Sequence, residues 1–185
     1  MNGGMNPLRE ADAAFRLPPS ALALVALGSN LGDSRELLLQ AMARLQAFSD
    51  QPLRQSSLWQ STPVDCPPGS PLFVNAVVGL VPRADETPES LLAQLQALEQ
   101  EFGRRPKRIL NEPRPLDLDL IAFGDEHRAT ATLTLPHPRA HQRRFVLAPL
   151  AEIAPEYKLP GQSETAQQLL TTLRNEEIVE RLKPS

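Results

Sequence analysis

Cysteine is almost missing from this chain: Cys66 stands alone among 185 residues. A single thiol makes neither an intramolecular disulfide nor a thiolate-rich zinc site, and such usage fits a reducing compartment. Aromatic residues are scarce as well, with one tryptophan, one tyrosine and six phenylalanines. A surface that stacks nucleic-acid bases draws on more of them, and a net charge of −3 offers a polyanion no general attraction. No apolar run approaches the ~20 residues that span a bilayer. The first twenty residues hold Glu10, Asp12 and prolines where a signal peptide has its apolar stretch. Also missing is any Gly-x-x-x-x-Gly-Lys-Ser/Thr segment, so no P-loop is there to cradle phosphates. These absences lead us to expect a cytoplasmic protein that binds neither membrane nor nucleic acid; a monomer is expected too, although no feature of the sequence fixes the oligomeric state. Residues 1–20 are expected to form a poorly ordered extension and residues 21–185 one domain.

Ala21 to Leu27 is a short apolar run meeting a tight turn at Gly28-Ser29-Asn30, which reads as a buried strand. Asp33 or Ser34 can cap a helix in which Leu37, Leu38, Ala41, Met42, Leu45 and Phe48 recur at helical spacing. A strand is expected over 53–60. Pro63, Pro67, Pro68, Gly69 and Pro71 then make a stiff loop that cannot join a sheet ladder. A second clear strand runs over 72–81. Thr87-Pro88-Glu89 supplies an N-cap, a proline at the first helical position and an early acid, with Leu91, Leu92, Leu95, Leu98 and Phe102 as the buried stripe and Gly103 closing the helix. A shorter helix is expected over 139–152, limited by Pro149, with weaker helical signals over 164–173 and 176–182. Strand, helix, strand, strand, helix, strand is the order of an α+β, ferredoxin-like βαββαβ core. In it an antiparallel sheet carries its helices on one face, followed here by a C-terminal helical extension.

The most informative stretch is Arg114-Pro115-Leu116-Asp117-Leu118-Asp119-Leu120. In a strand, alternate side chains share a face, so Leu116, Leu118 and Leu120 dock on a core while Asp117 and Asp119 stand together on the other side. Docking explains the leucines and leaves the like charges unexplained. Two hard oxygen donors side by side are what Mg²⁺ accepts, and the arginines of Gly103-Arg104-Arg105-Pro106-Lys107-Arg108 lie nearby. Together they point to metal-assisted phosphoryl transfer, with arginine forks in place of a P-loop.

Several segments resemble the 6-hydroxymethyl-7,8-dihydropterin pyrophosphokinase family: Ala26-Leu27-Gly28-Ser29-Asn30-Leu31-Gly32, Thr62-Pro63-Val64, Phe73-Val74-Asn75-Ala76-Val77, Phe102-Gly103-Arg104, Pro113-Arg114 with the double-aspartate strand, Leu135-Pro136-His137-Pro138-Arg139, and Arg143 to Leu150. They cover roughly residues 21–160 in the family's order and spacing. The resemblance implies transfer of the two terminal phosphates of ATP as a unit onto the pterin hydroxymethyl group, releasing AMP. It implies Asp117 and Asp119 as ligands of Mg²⁺, two ions in all, and Arg104 and Arg114 as catalytic phosphate-binding arginines. Gln96, Glu99, Leu120, Thr134, His137 and Arg143 correspond to nucleotide contacts. Thr62, Pro63, Val64 and Asn75 correspond to the pterin rim, with Phe73 and Phe145 stacking on the ring. The loop from Arg104 to Arg114 is expected to close over ATP and exclude water.

Each feature has a plainer reading by itself. Asp-x-Asp can be a solvated strand face, the basic loop a solvated surface, Phe73 and Phe145 core residues, and Gln96 and Glu99 ordinary helix-surface residues. Asn75 is harder to dismiss, because a buried amide needs partners. His137 and His141 have the spacing of a zinc pair but lack the flanking ligands, and a phosphate contact by His137 suits the sequence better. Two other functions compete: another Mg²⁺-dependent nucleotidyl or phosphoryl transferase, and a ferredoxin-like RNA-binding module. The chain departs from the family at Asn111, where many relatives carry tryptophan, at Pro115, where threonine is usual, at Asp65, where a small residue is usual, and at Thr132, often basic in relatives.

Overall fold

The alternation in the double-aspartate strand decides how the sheet is dressed. A computed structural model describes residues 18, 21–105 and 112–183, so most of the expected 1–20 extension lies outside the described residues. The elements are β1 (Ala23–Ser29), α1 (Ser34–Leu45), β2 (Arg54–Gln55), β3 (Trp59–Ser61), β4 (Phe73–Leu80), α2 (Pro88–Glu101), β5 (Asp117–Phe123), β6 (Arg128–Ala129), β7 (Thr134–Leu135), α3 (Arg144–Ile153), α4 (Ala166–Thr172) and β8 (Val179–Arg181). The main sheet has the order β5-β1-β4-β3-β8, with β2 also paired to β4, and all its pairings are antiparallel. This is the expected ferredoxin-like arrangement.

Local chemistry explains the two helices of the βαββαβ core. The Asp33 side chain accepts the Glu36 N–H at 3.1 Å, and Leu38, Ala41, Met42 and Leu45 then fall on one buried face. In α2, Thr87 and Ser90 form a reciprocal capping box, and Leu91, Leu95 and Leu98 are buried. Gly103 follows at φ 87°, the left-handed conformation that ends a helix readily only at glycine. These helices pack against Ala23, Val25, Leu27, Leu116, Leu118 and Leu120.

The sheet's other face is covered too, which corrects the expectation of helices on one side only. Leu24, Ala26, Val77 and Ile121 pack against Val146, Leu147 and Leu150 of α3 and Leu169 of α4. Nearly every residue of α3 from Val146 to Ile153 is buried, so the helix is apolar around most of its circumference and fills this second layer. The strand expected over 53–60 breaks into β2 and β3; between them Ser56 uses its side-chain oxygen to accept the Val77 N–H at 3.0 Å. The tail does contain a helix, α4, but the helix expected over 176–182 is instead β8, paired to the edge of β3 with Trp59 opposite Arg181. Glu152 of α3 ties that edge down, accepting from the Ser57 N–H at 3.0 Å and the Trp59 indole at 2.9 Å and pairing with Arg181 at 3.0 Å.

Tyr157, the only tyrosine, is buried in this second layer; burial first, and the charge of Asp125 second, raise its pKa to about 12. A raised folded-state pKa means that stability is fully present below the unfolded value and is lost as pH climbs toward the folded one. Stability should therefore fall between pH 10 and pH 12, by roughly 2–3 kcal/mol. Tyrosinate absorbance in the folded protein should appear only near the upper end of that range, and titration near pH 10 in the folded state would contradict it.

Candidate active site

At one end of the second face, helical cover stops and a cavity of about 640 Å³ opens. Its floor follows from strand register. Gly28 of β1 pairs with Asn75 of β4 on one side and Asp117 of β5 on the other; one step along, Ala26 pairs with Asp119. Gly28 therefore lies between an amide and a carboxylate and adds no side chain of its own. A Cβ there would meet Asn75 Oδ1 at 3.6 Å, Phe73 at 3.7 Å and Asp117 Cβ at 4.0 Å, so any longer side chain projects into the space these three leave. Asn75 is buried and donates to Ser61 Oγ at 2.8 Å, which leaves its carbonyl beside Gly28.

The cavity brings together Thr62, Val64, Phe73, Asn75 and Phe145 with Arg114, Asp117, Asp119, His137 and Arg143. Of the other expected site residues, Pro63 sits in the rim loop between two lining residues, and Arg104 reaches the site through Asp117. Gln96 is exposed on α2 and Thr134 is exposed on β7, both outside the cavity wall. The Leu120 side chain is buried among the leucines of the opposite layer. The closing loop expected from 104–114 falls largely on residues 106–111, outside the described residues, as does Asn111.

The charged groups form one network. Arg104 Nη1 donates to Asp117 and, at 2.6 Å, to Glu99 Oε1, which also accepts the Leu118 N–H at 2.7 Å. Arg114 Nε lies 3.1 Å from Asp117 Oδ2. The Arg114 backbone is clasped by Asn30, whose N–H donates to the Arg114 carbonyl at 3.2 Å and whose side-chain oxygen accepts the Arg114 N–H at 3.0 Å. Burial pushes Glu99 up to about 7, opposed by the Leu118 amide and Arg104. Burial lowers the Arg104 pKa, but Asp117, Glu99 and Asp119 outweigh it, so the guanidinium stays charged.

Asp119 is different. Desolvation and then the Asp117 charge lift its pKa well above the ordinary aspartate range, and among the described residues it has no hydrogen bond or ion pair. A desolvated carboxylate without a partner, beside a second carboxylate in a cavity, fits a hard cation. Mg²⁺ takes one or two carboxylates and fills its remaining positions with water and substrate phosphate, so this donor set suits it.

Two more observations bear on ligands. The Arg143 guanidinium lies over the Phe145 ring at 5.4 Å, and Arg114 lies over Phe73 at 5.6 Å. Burial, then Arg143 and Arg139, lower the His137 pKa to about 4, so the ring is neutral at pH 7. Its Nδ1 accepts the Arg139 N–H at 3.2 Å, which leaves the proton on Nε2 as a donor.

Sequence reasoning did not foresee several of the residues that build the site. Cys66, Pro138 and Arg139 line the cavity, and Asp65 joins them at φ 52°, a conformation that explains why a small residue suits that position. Asn30 belongs to the Ala26–Gly32 motif, but its role is to hold Arg114, a contact that no spacing reveals.

Comparison with known proteins identifies a family. A family model described as 7,8-dihydro-6-hydroxymethylpterin-pyrophosphokinase (HPPK) matches residues 24–155. The 2-amino-4-hydroxy-6-hydroxymethyldihydropteridine pyrophosphokinase of Synechocystis is 40% identical over 148 residues, 80% of this chain and 74% of its own. The protein of the same name from Pseudomonas aeruginosa is 41% identical over 140 residues, 74% of this chain and 82% of its own. Among solved structures, wild-type Plasmodium falciparum HPPK-DHPS with pteroate shares the fold at a TM-score of 0.63 and 14% identity, over 81% of this chain and 44% of that one. This chain spans less than half the length of that protein. The chain belongs to the 7,8-dihydro-6-hydroxymethylpterin-pyrophosphokinase family.

Proposed function

We propose that this chain transfers the terminal pyrophosphoryl group of ATP to the hydroxymethyl group of 6-hydroxymethyl-7,8-dihydropterin in folate synthesis, releasing AMP. The observation that carries this reading is the cavity floor. Asn75, Gly28 and Asp117 lie abreast on three strands, with Phe73 and Phe145 in the same walls. An open floor beside a buried amide and two phenyl rings suits a flat ring that is polar at its edge; the carboxylates suit the triphosphate end.

The pterin hydroxyl oxygen attacks the β-phosphorus. A new O–P bond forms, and the bond from that phosphorus to the α–β bridging oxygen breaks. The bridging oxygen leaves with AMP, and the hydroxyl proton passes to solvent. Mg²⁺ held by Asp117 and Asp119, two ions in our reading, supplies charge neutralisation for the triphosphate. Arg104 and Arg114 turn from Asp117 to grip phosphate oxygens, each as a bidentate fork. Neutral His137 donates from Nε2 without adding charge, and Arg143 holds the nucleotide beside it. Gln96, Leu120 and Thr134 act on the nucleotide only from outside the described cavity, and Glu99 acts through Arg104.

A general Mg²⁺-dependent phosphoryl or nucleotidyl transferase shares the carboxylates and arginines. The convergence of Thr62, Val64, Phe73, Asn75 and Phe145 on the same cavity favours the pterin. An RNA-binding role is disfavoured because α3 and α4 cover much of the sheet face on which such modules stack bases. We assign the reaction to the cytoplasm, given the lone Cys66. Among the described residues no helix is long and apolar enough to cross a membrane.

AMP release from ATP should require both the dihydropterin and Mg²⁺ and should stop on chelation. Asp117→Ala should lower it by about 10²–10³-fold while the protein stays folded. Release of AMP without the pterin, or an active Asp117→Ala protein, would contradict the assignment. Gly28→Val should preserve the strand, since valine suits a β-ladder, but fill the floor beside Asn75 and raise the pterin KM by about tenfold or more. Steady-state kinetics with each substrate varied in turn would show this, and a Gly28→Val protein with an unchanged pterin KM would place the ring elsewhere.

A further inference from the structure

The tail beyond residue 155 lies outside the family-matched stretch, yet two consecutive tail residues touch opposite walls of the cavity. Glu177 Oε2 accepts the backbone N–H of Arg144 at 2.7 Å and of Phe145 at 3.2 Å. These are the first two residues of α3, whose own N-cap position, Arg143, makes no side-chain capping bond. An uncapped helix leaves its first N–H groups without partners. Here the missing acceptor arrives from more than thirty residues along the chain. Arg144 strengthens the junction by donating to the Leu173 carbonyl at 2.9 Å.

Ile178, the next residue, grips the other wall. Its carbonyl accepts the Thr62 N–H at 3.1 Å, and its N–H donates to Thr62 Oγ1 at 3.3 Å. The pairing continues as Val179 opposite Ser61, and Ser61 Oγ is the acceptor that orients Asn75. One peptide unit thus links the Phe145 wall to the Thr62 and Asn75 wall.

We infer that Glu177 is a positioning residue for the pterin site: it caps α3 from the C-terminal tail, fixes Phe145, and with Ile178 sets the spacing of the two walls. The inference rests on the pterin reading above. It concerns the α3 side of the cavity, Phe145 first and then Arg143, whose charge also faces Glu177; Asp117, Asp119, Arg104 and Arg114 are held by β5, Glu99 and Asn30 and do not lean on the tail. Phe145 stands in the first turn of α3, where loss of a cap is felt most.

The test compares Glu177→Ala, Glu177→Gln and Arg181→Ala. Arg181→Ala loosens the same strand at Glu152 and Ser57, away from Phe145. Glu177→Ala should raise the pterin KM by about tenfold and the ATP KM by clearly less, through Arg143 alone, with kcat much less affected, and should speed amide hydrogen exchange at Arg144 and Phe145. Glu177→Gln keeps an acceptor oxygen and should recover most of the wild-type pterin KM. Arg181→Ala should lower Tm without moving the pterin KM. An unchanged pterin KM in Glu177→Ala, or parallel rises in both KM values in Glu177→Ala and Arg181→Ala alike, would overturn the inference. Direct pterin binding with Mg²⁺ and α,β-methylene-ATP separates the two claims. Wild-type protein that binds no pterin removes the proposed function and this inference together, whereas equal binding by wild type and Glu177→Ala removes the inference alone.

Discussion

Asp117 and Asp119 point the same way from one strand, about 7 Å apart along the chain, where their repulsion is worth roughly 2–3 kcal/mol at an effective dielectric constant near 20. Much of the surrounding structure answers that charge. Arg104 and Arg114 settle Asp117, and each arginine is itself held in place, Arg104 by Glu99 from α2 and Arg114 by the backbone clasp of Asn30. Asp119 receives no such partner among the described residues and feels Arg143, Arg114 and Arg104 only at longer range. The site is therefore balanced on one carboxylate and unbalanced on the next. In our reading a divalent cation removes that imbalance and at the same time frees the arginines for phosphate.

The strand that carries the carboxylates also carries the leucines of the first core layer, so site and core are two faces of one element. On the site face, strand register places an amide, a glycine and a carboxylate in a row. An arginine side chain lies over each phenyl ring of the cavity. A guanidinium stacked on a ring is a placeholder of modest strength. In our reading, a pterin that displaces it gains the aromatic face, and the displaced arginine gains phosphate oxygens. In the same reading, binding of the two substrates is coupled through shared arginines.

Much of this was legible in the sequence because it is written in local periods. The alternation from Leu116 to Leu120, the Thr87-Pro88-Glu89 cap and the leucine stripe of α2 translate directly into observed structure. What sequence reasoning missed depends on partners far along the chain. Residues 176–182 place Ile178, Val179 and Leu182 at spacings a helix also allows, and the open edge of β3 decides for a strand. The second helical layer was signalled by the nearly all-apolar run of α3, but a short apolar run does not say which face of a sheet it will cover. Asn30 and Glu177 act on backbone groups of remote residues, Arg114 and Phe145, and side-chain patterns carry no trace of such contacts.

The central claim is that one cavity takes the pterin between its phenylalanines and the triphosphate at its carboxylates. A crystal structure with 6-hydroxymethyl-7,8-dihydropterin, α,β-methylene-ATP and Mg²⁺ tests it most directly. The account predicts the pterin ring against Phe73 and Phe145 with its edge on Asn75, and the guanidiniums of Arg114 and Arg143 moved off those rings toward the nucleotide. A pterin bound away from Asn75, or arginines still stacked on both phenylalanines with both substrates present, would contradict it.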